Sequence, residues 1–285
     1  MNKLISAVLL FFILSVITSC DDKKDYLVKI KTAHGDITVL LYDETPLHKK
    51  NFLELAKSGR YDSTVFHRIS ENFMIQGGDI AKKEGIREKE EDRIPAEIVE
   101  GFYHTRGALA AARQGDNVNP EKKSSSTQFY IVDGQPWEQL SIDIQQLYGR
   151  MVELLRDSTN RELIEEYQPI YARRDQKEIM DFLISKQEMV EEKFDISLAK
   201  SPATGNDSLY QKMGGGYPPL DGAYTVFGQV VEGLDVVDRI AELPTSVNPQ
   251  TGEKSVPIEP IPLTMEVVEM KKKAITETYG YQYPE

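Results

Sequence analysis

The stretch Val65-Phe66-His67-Arg68-Ile69-Ser70-Glu71-Asn72-Phe73-Met74-Ile75-Gln76-Gly77-Gly78-Asp79 restricts the fold most. Two short apolar runs flank a polar break at 70–72 and a glycine pair follows, the pattern of strand, loop, strand and tight turn. Alternation puts Met74 and Gln76 on one face of the second strand. Arg68 lies inside the first run, where a fixed cation needs a partner or a cleft. Taken alone, these residues are an edge ion pair and a plain turn.

Similar alternation recurs along the chain. Residues 27–32 and 36–42, joined at Ala33-His34-Gly35, read as an antiparallel hairpin with one buried face. Thr45 then caps a helix with Pro46 at its first position and Gly59 past its end, and Leu47, Phe52, Leu55 and Ala56 supply its inner side. Residues 80–100 read as a charged surface loop that touches the sheet again near Pro95-Ala96-Glu97-Ile98. Further strands are expected at 107–113, 126–132, 220–230 and 263–270, with a helix over 233–240 ended by Pro244. Residues 272–285 read as a frayed tail.

The segment 138–212 breaks this pattern. Leu147, Met151, Leu154 and Leu155 repeat at helical spacing, as do Leu163, Ile164, Tyr167, Ile170 and Tyr171, and then Ile179, Phe182, Leu183, Val190 and Phe194. Two or three amphipathic helices are expected, packed on themselves or on the sheet. Their partner is not legible.

At the start, Met1-Asn2-Lys3 precede fourteen largely apolar residues, 4–17, too short for a bilayer span but suited to a secretory leader. Ile17-Thr18-Ser19-Cys20 resembles the bacterial lipobox, which implies cleavage after residue 19 and lipid on Cys20. Cys20 is the only cysteine, so no intrachain disulfide can form in the oxidising compartment that export implies. Residues 20–25 read as a lipidated tether. These features place the protein in a bacterial cell envelope, anchored to a membrane on its periplasmic or surface side. The formal net charge of −12 argues against nucleic acid as a partner. His34, His48, His67 and His104 are scattered, with no phosphate loop or nucleophile triad, so neither cofactor nor metal is expected.

The order of residues in 65–79 resembles the signature of the cyclophilins, peptidyl-prolyl cis/trans isomerases, and the resemblance continues over about 27–132 and 214–270. It implies a mainly β fold: a closed antiparallel eight-stranded barrel capped by two helices. The barrel would occupy 26–137 and 213–271, interrupted by the helical insertion. It also implies Arg68 and Gln76 as catalytic residues. Phe73, Met74, Ala112, Arg113, Gln128, Tyr130, Leu220, Tyr224 and Phe227 would bind substrate. Arg113 stands where the family commonly has Asn, Tyr224 where many members have His, and Pro219 where many have a Trp that helps bind cyclosporin. The implied partners are Pro-containing polypeptides, and the implied role is assistance in folding exported proteins. A Pro-segment-binding chaperone or scaffold lipoprotein with weak isomerase activity is the alternative.

Overall fold

The computed structural model describes residues 23–173, 176–200 and 206–284. The leader, Cys20 and its lipidation lie outside the described residues. Strands β1 (Lys24–Thr32) and β2 (Gly35–Leu41) form the first hairpin, followed by β3 (Thr64–Phe66), β4 (Arg68–Ser70) and β5 (Met74–Gly77). Next come β6 (Ala108–Ala111), β7 (Phe129–Val132), the short pair β8 (Gln135–Pro136) and β9 (Gly215–Gly216), and β10 (Val226–Glu232). A small hairpin, β11 (Thr245–Val247) and β12 (Lys254–Pro257), precedes the long β13 (Ile261–Lys271).

Nine strands pair in the order β3-β13-β1-β2-β10-β6-β7-β5-β4. The two ends of that order are one run of chain, because β3 and β4 are separated only by His67, whose N–H donates to the Gln76 carbonyl at 3.0 Å. β3 pairs with β13 and β4 with β5, so the sheet closes on itself and removes its edges. With β3 and β4 taken as one bent strand, the barrel has the eight strands expected.

Alternation along each strand divides the side chains into two layers. Val28, Ile30, Ile37, Val39, Leu109, Ile131 and Phe227 share an inner core with Phe52 and Ala56 of the helix Pro46–Lys57 and with Val237 and Ile240 of the helix Leu234–Ala241. Each large apolar side chain so buried contributes about 1.5–3 kcal/mol. Leu27, Leu40, Met74, Ala110, Tyr130 and Val226 form a second cluster on the outer face.

Several local expectations are corrected. β1 starts at Lys24, so Lys24 and Asp25 belong to the sheet and not to the tether, and Asp25 is buried against Lys49 at 2.7 Å. Thr45 stands at the N-cap but its hydroxyl points back to the Tyr42 carbonyl. The carboxylate of Glu97 accepts from the Leu47 and His48 N–H groups instead, each at 3.0 Å. Leu47 is 48% exposed, and His48 takes the inward position. The charged stretch 80–100 contains a helix, Ile80–Glu84, seated by buried Ile80. The tail is not frayed: Lys272–Tyr279 is a helix whose Ile275 is fully buried, and Tyr281 and Tyr283 pack on the outer cluster.

Between β8 and β9 the described residues form six helical segments in place of two or three: Trp137–Leu140, Ile144–Arg156, Arg161–Arg173, Gln176–Ser185, Gln187–Phe194 and Asp207–Lys212. Leu147, Met151, Leu154, Phe182, Leu183 and Val190 gather into a core separate from those of the barrel. The insert thus leaves and re-enters through the β8–β9 pair. Among the described residues, no helix is long and apolar enough to cross a membrane.

Candidate active site

The barrel's register builds the site. Arg68 lies opposite Gln76, Gln76 opposite Tyr130, Tyr130 opposite Ala110, and Ala110 opposite Val226, a single row across β4, β5, β7, β6 and β10. Directly paired residues present side chains to the same face. The adjacent row, Ile69, Ile75, Ile131 and Leu109, faces the inner core. One hairpin therefore buries its isoleucines and carries Arg68 and Gln76 outward. After β5, Gly78 turns the chain at φ 78°, where a Cβ would meet the Thr127 carbonyl at 2.7 Å.

A groove of about 100 Å³ is lined by Arg68, Phe73, Met74, Gln76, Ala112, Arg113, Tyr130, Leu220 and Tyr224. Nine of the eleven residues expected there thus share one cleft. Gln128 joins through its side chain, since Gln76 Nε2 donates to Gln128 Oε1 at 3.0 Å. Phe227 does not join. It is 2% exposed in the inner core with its ring 5.4 Å from Phe52, and strand parity gives the outward position to its neighbour Val226. A larger hollow of about 300 Å³ beside Asn51, Arg60 and Thr127 contains neither Arg68 nor the groove aromatics.

The two sides of the groove differ. On the apolar side, Phe73 packs on Tyr217 at 4.4 Å between centroids, and Tyr130 meets Tyr224 edge-on at 6.0 Å. Burial keeps the Tyr130 hydroxyl protonated well above its usual range. On the polar side, Arg68 lies 5.3 Å from the Phe73 ring centroid and donates to Glu253 at 2.9 Å. Glu253 sits between β11 and β12, where nothing in the local sequence marks it as a partner of Arg68. The Ala112 N–H is committed to the Gln128 carbonyl at 3.0 Å, and its C=O accepts from Ser125 at 2.8 Å, so both of its backbone groups are engaged within the chain. The Arg113 side chain is held by Ala223 O at 2.7 Å and Asp116 at 2.6 Å and stacks over Tyr224 at 4.5 Å. It braces the Tyr224 wall.

The outer face of the barrel thus gathers a cation, two hydrogen-bonded amides and an aromatic slot in one open groove. The family model for "Cyclophilin type peptidyl-prolyl cis-trans isomerase/CLD" matches residues 27–156 and 158–264. Peptidyl-prolyl cis-trans isomerase cypE of Dictyostelium discoideum is 40% identical over 114 residues, 39% of this chain and 69% of that protein. Peptidyl-prolyl cis-trans isomerase B of Escherichia coli is 37% identical over 107 residues, 37% of this chain and 61% of that protein. A Streptococcus pyogenes putative bifunctional phosphatase/peptidyl-prolyl cis-trans isomerase is 43% identical over 111 residues but only 22% of its length is spanned. A crystal structure of a Cryptosporidium parvum cyclophilin aligns with a TM-score of 0.49 at 18% identity, covering 88% of this chain and 99% of that one. The chain belongs to the cyclophilin-type peptidyl-prolyl cis/trans isomerase family, and the enzyme class of that family is isomerase.

Proposed function

We propose that this chain catalyses cis/trans isomerisation of X–Pro bonds in exported polypeptides, from a lipid anchor at Cys20 on the bacterial envelope. The observation that carries the catalytic part is the Arg68–Gln76–Tyr130 row facing one groove. The leader and the lipobox-like Ile17-Thr18-Ser19-Cys20 support the envelope setting.

The reaction breaks no σ bond. Its barrier of about 18–20 kcal/mol is the loss of amide resonance on twisting, and uncatalysed exchange takes tens to hundreds of seconds. As the bond twists, the prolyl nitrogen becomes pyramidal and gains a lone pair that accepts a hydrogen bond. Arg68 donates it. The Glu253 bond takes one of the guanidinium's five donors, and Phe73 limits where the head can move. A charge-assisted hydrogen bond of about 1.5–3 kcal/mol gives roughly 10- to 150-fold.

The rest comes from position and a dry slot. Phe73, Met74, Tyr130 and Leu220 enclose the proline ring, which favours the less polar twisted amide. Gln76, fixed by Gln128, holds the peptide on one side while the other rotates. Exchange spectroscopy on a Pro-containing tetrapeptide tests the reading. Acceleration by catalytic amounts of the protein is expected, and an unchanged exchange rate overturns it.

A further inference from the structure

A buried line of four polar side chains joins the helical insert to the groove. Tyr210, in the helix Asp207–Lys212 at the insert's exit, is fully buried and donates its hydroxyl to Asp221 Oδ2. The other carboxylate oxygen accepts from the His104 backbone N–H at 2.7 Å and lies 2.9 Å from His104 Nδ1. On the far side of that ring, Nε2 is 2.8 Å from the hydroxyl of Tyr130, a wall of the groove. Asp221 accepts at both oxygens, so Nδ1 donates to it, and Nε2 shares a hydrogen bond with the Tyr130 hydroxyl.

The insert's stem lies on the same segment. Thr105 bridges Gly216 of β9, and Tyr217 N–H donates to the His104 carbonyl at 2.7 Å. At Gly216 a Cβ would meet that carbonyl at 2.3 Å and the Tyr210 ring at 2.7 Å, so the contact admits only glycine. Tyr217 in turn carries Phe73, the facing wall.

We propose that Tyr210 is a positioning residue for the proline slot: through Asp221 and His104 the insert fixes the Tyr130 hydroxyl, and thereby sets the affinity for X–Pro peptides. This rests on the isomerase reading for what occupies the groove. Arg68 is not in the line, so the effect falls on binding more than on the rotation step.

The test is a double-mutant cycle in the full chain, read as KM and kcat for a Pro-containing tetrapeptide and as its Kd by NMR titration. Tyr210→Phe keeps the ring and removes the donor. It is expected to raise KM and Kd by about 3- to 10-fold with kcat within about 2-fold, and to add no further loss in a Tyr130→Phe background, where the line is already cut. Asp221→Asn, read in the same cycle, shows the same dependence on Tyr130 and serves should Tyr210→Phe fail to fold. Unchanged KM and Kd, or an equal loss in both backgrounds, overturns the proposal. A wild-type chain that binds the peptide without accelerating exchange contradicts the isomerase reading alone, and Kd then still reads the coupling. Absence of binding overturns both.

Discussion

Arg68 Nη2 and Glu253 Oε2 are 2.9 Å apart, although 185 residues separate them in the chain. The pair joins β4 to the loop between β11 and β12 at the groove's rim. Both side chains are partly solvated, 29% and 53% exposed, so the pair is worth roughly 0–1 kcal/mol. Its value lies in where it leaves the guanidinium. Glu253→Gln should therefore lower kcat/KM by about 2- to 5-fold, in line with that energy. A gain in activity would mean that Glu253 competes with substrate for Arg68 instead of aiming it.

The Gln76–Gln128 hydrogen bond predicts coupled losses. Either residue changed to Ala leaves the other amide without its partner, at a cost of up to about 10-fold in kcat/KM. The double variant should lose little more than the worse single one. Full additivity in steady-state rates would show that the two amides act independently.

Burial raises the Asp133 carboxyl from 3.8 to about 7, against the opposing pull of the Asn72 N–H and Arg106. Between those values the folded protein holds a proton that the unfolded chain has released, so this residue's contribution to stability falls as pH rises from about 4 to 7. The slope for one proton approaches about 1.4 kcal/mol per pH unit. Denaturant unfolding of wild type and Asp133→Asn across that range checks the sign: the variant should gain on wild type as pH rises. A difference independent of pH contradicts the assignment.

The C-terminal helix is part of the fold. Ile275 is fully buried, Lys272 pairs with Asp43 at 2.7 Å, and Tyr283 reaches Asp25 at 3.2 Å. Ile275→Ala should cost about 2–4 kcal/mol in chemical unfolding, as for other large-to-small core changes. A loss below about 0.5 kcal/mol would fit the frayed tail expected from sequence instead.

What the sequence exposes and what it hides follow from range. Met74 and Gln76 lie on one strand, so period-two alternation alone brings them to one face; Arg68 joins them through the β4–β5 register, and the family pattern adds Tyr130 and Leu220. Val226 and Phe227 are both apolar, so hydropathy does not tell which faces the groove, and only the register with β6 does. Hydropathy likewise assigns the inward position to Leu47, but His48, buried and bonded to Glu97, takes it. Glu253 and the line from Tyr210 to Tyr130 join distant segments by single polar contacts, which leave no periodic trace. The aromatic tail pairs Tyr281 and Tyr283 with residues far upstream and has no helical or strand repeat to announce it.

The central claim is that the Arg68 guanidinium stabilises the twisted amide more than the planar one. The direct measurement is Arg68→Ala against wild type, with kcat/KM from exchange or protease-coupled rates and Kd for the same Pro-containing peptide by titration. The account predicts a fall of at least about 10- to 150-fold in kcat/KM with Kd changed by less than about 3-fold. Equal losses in both, or an unchanged rate, would contradict it.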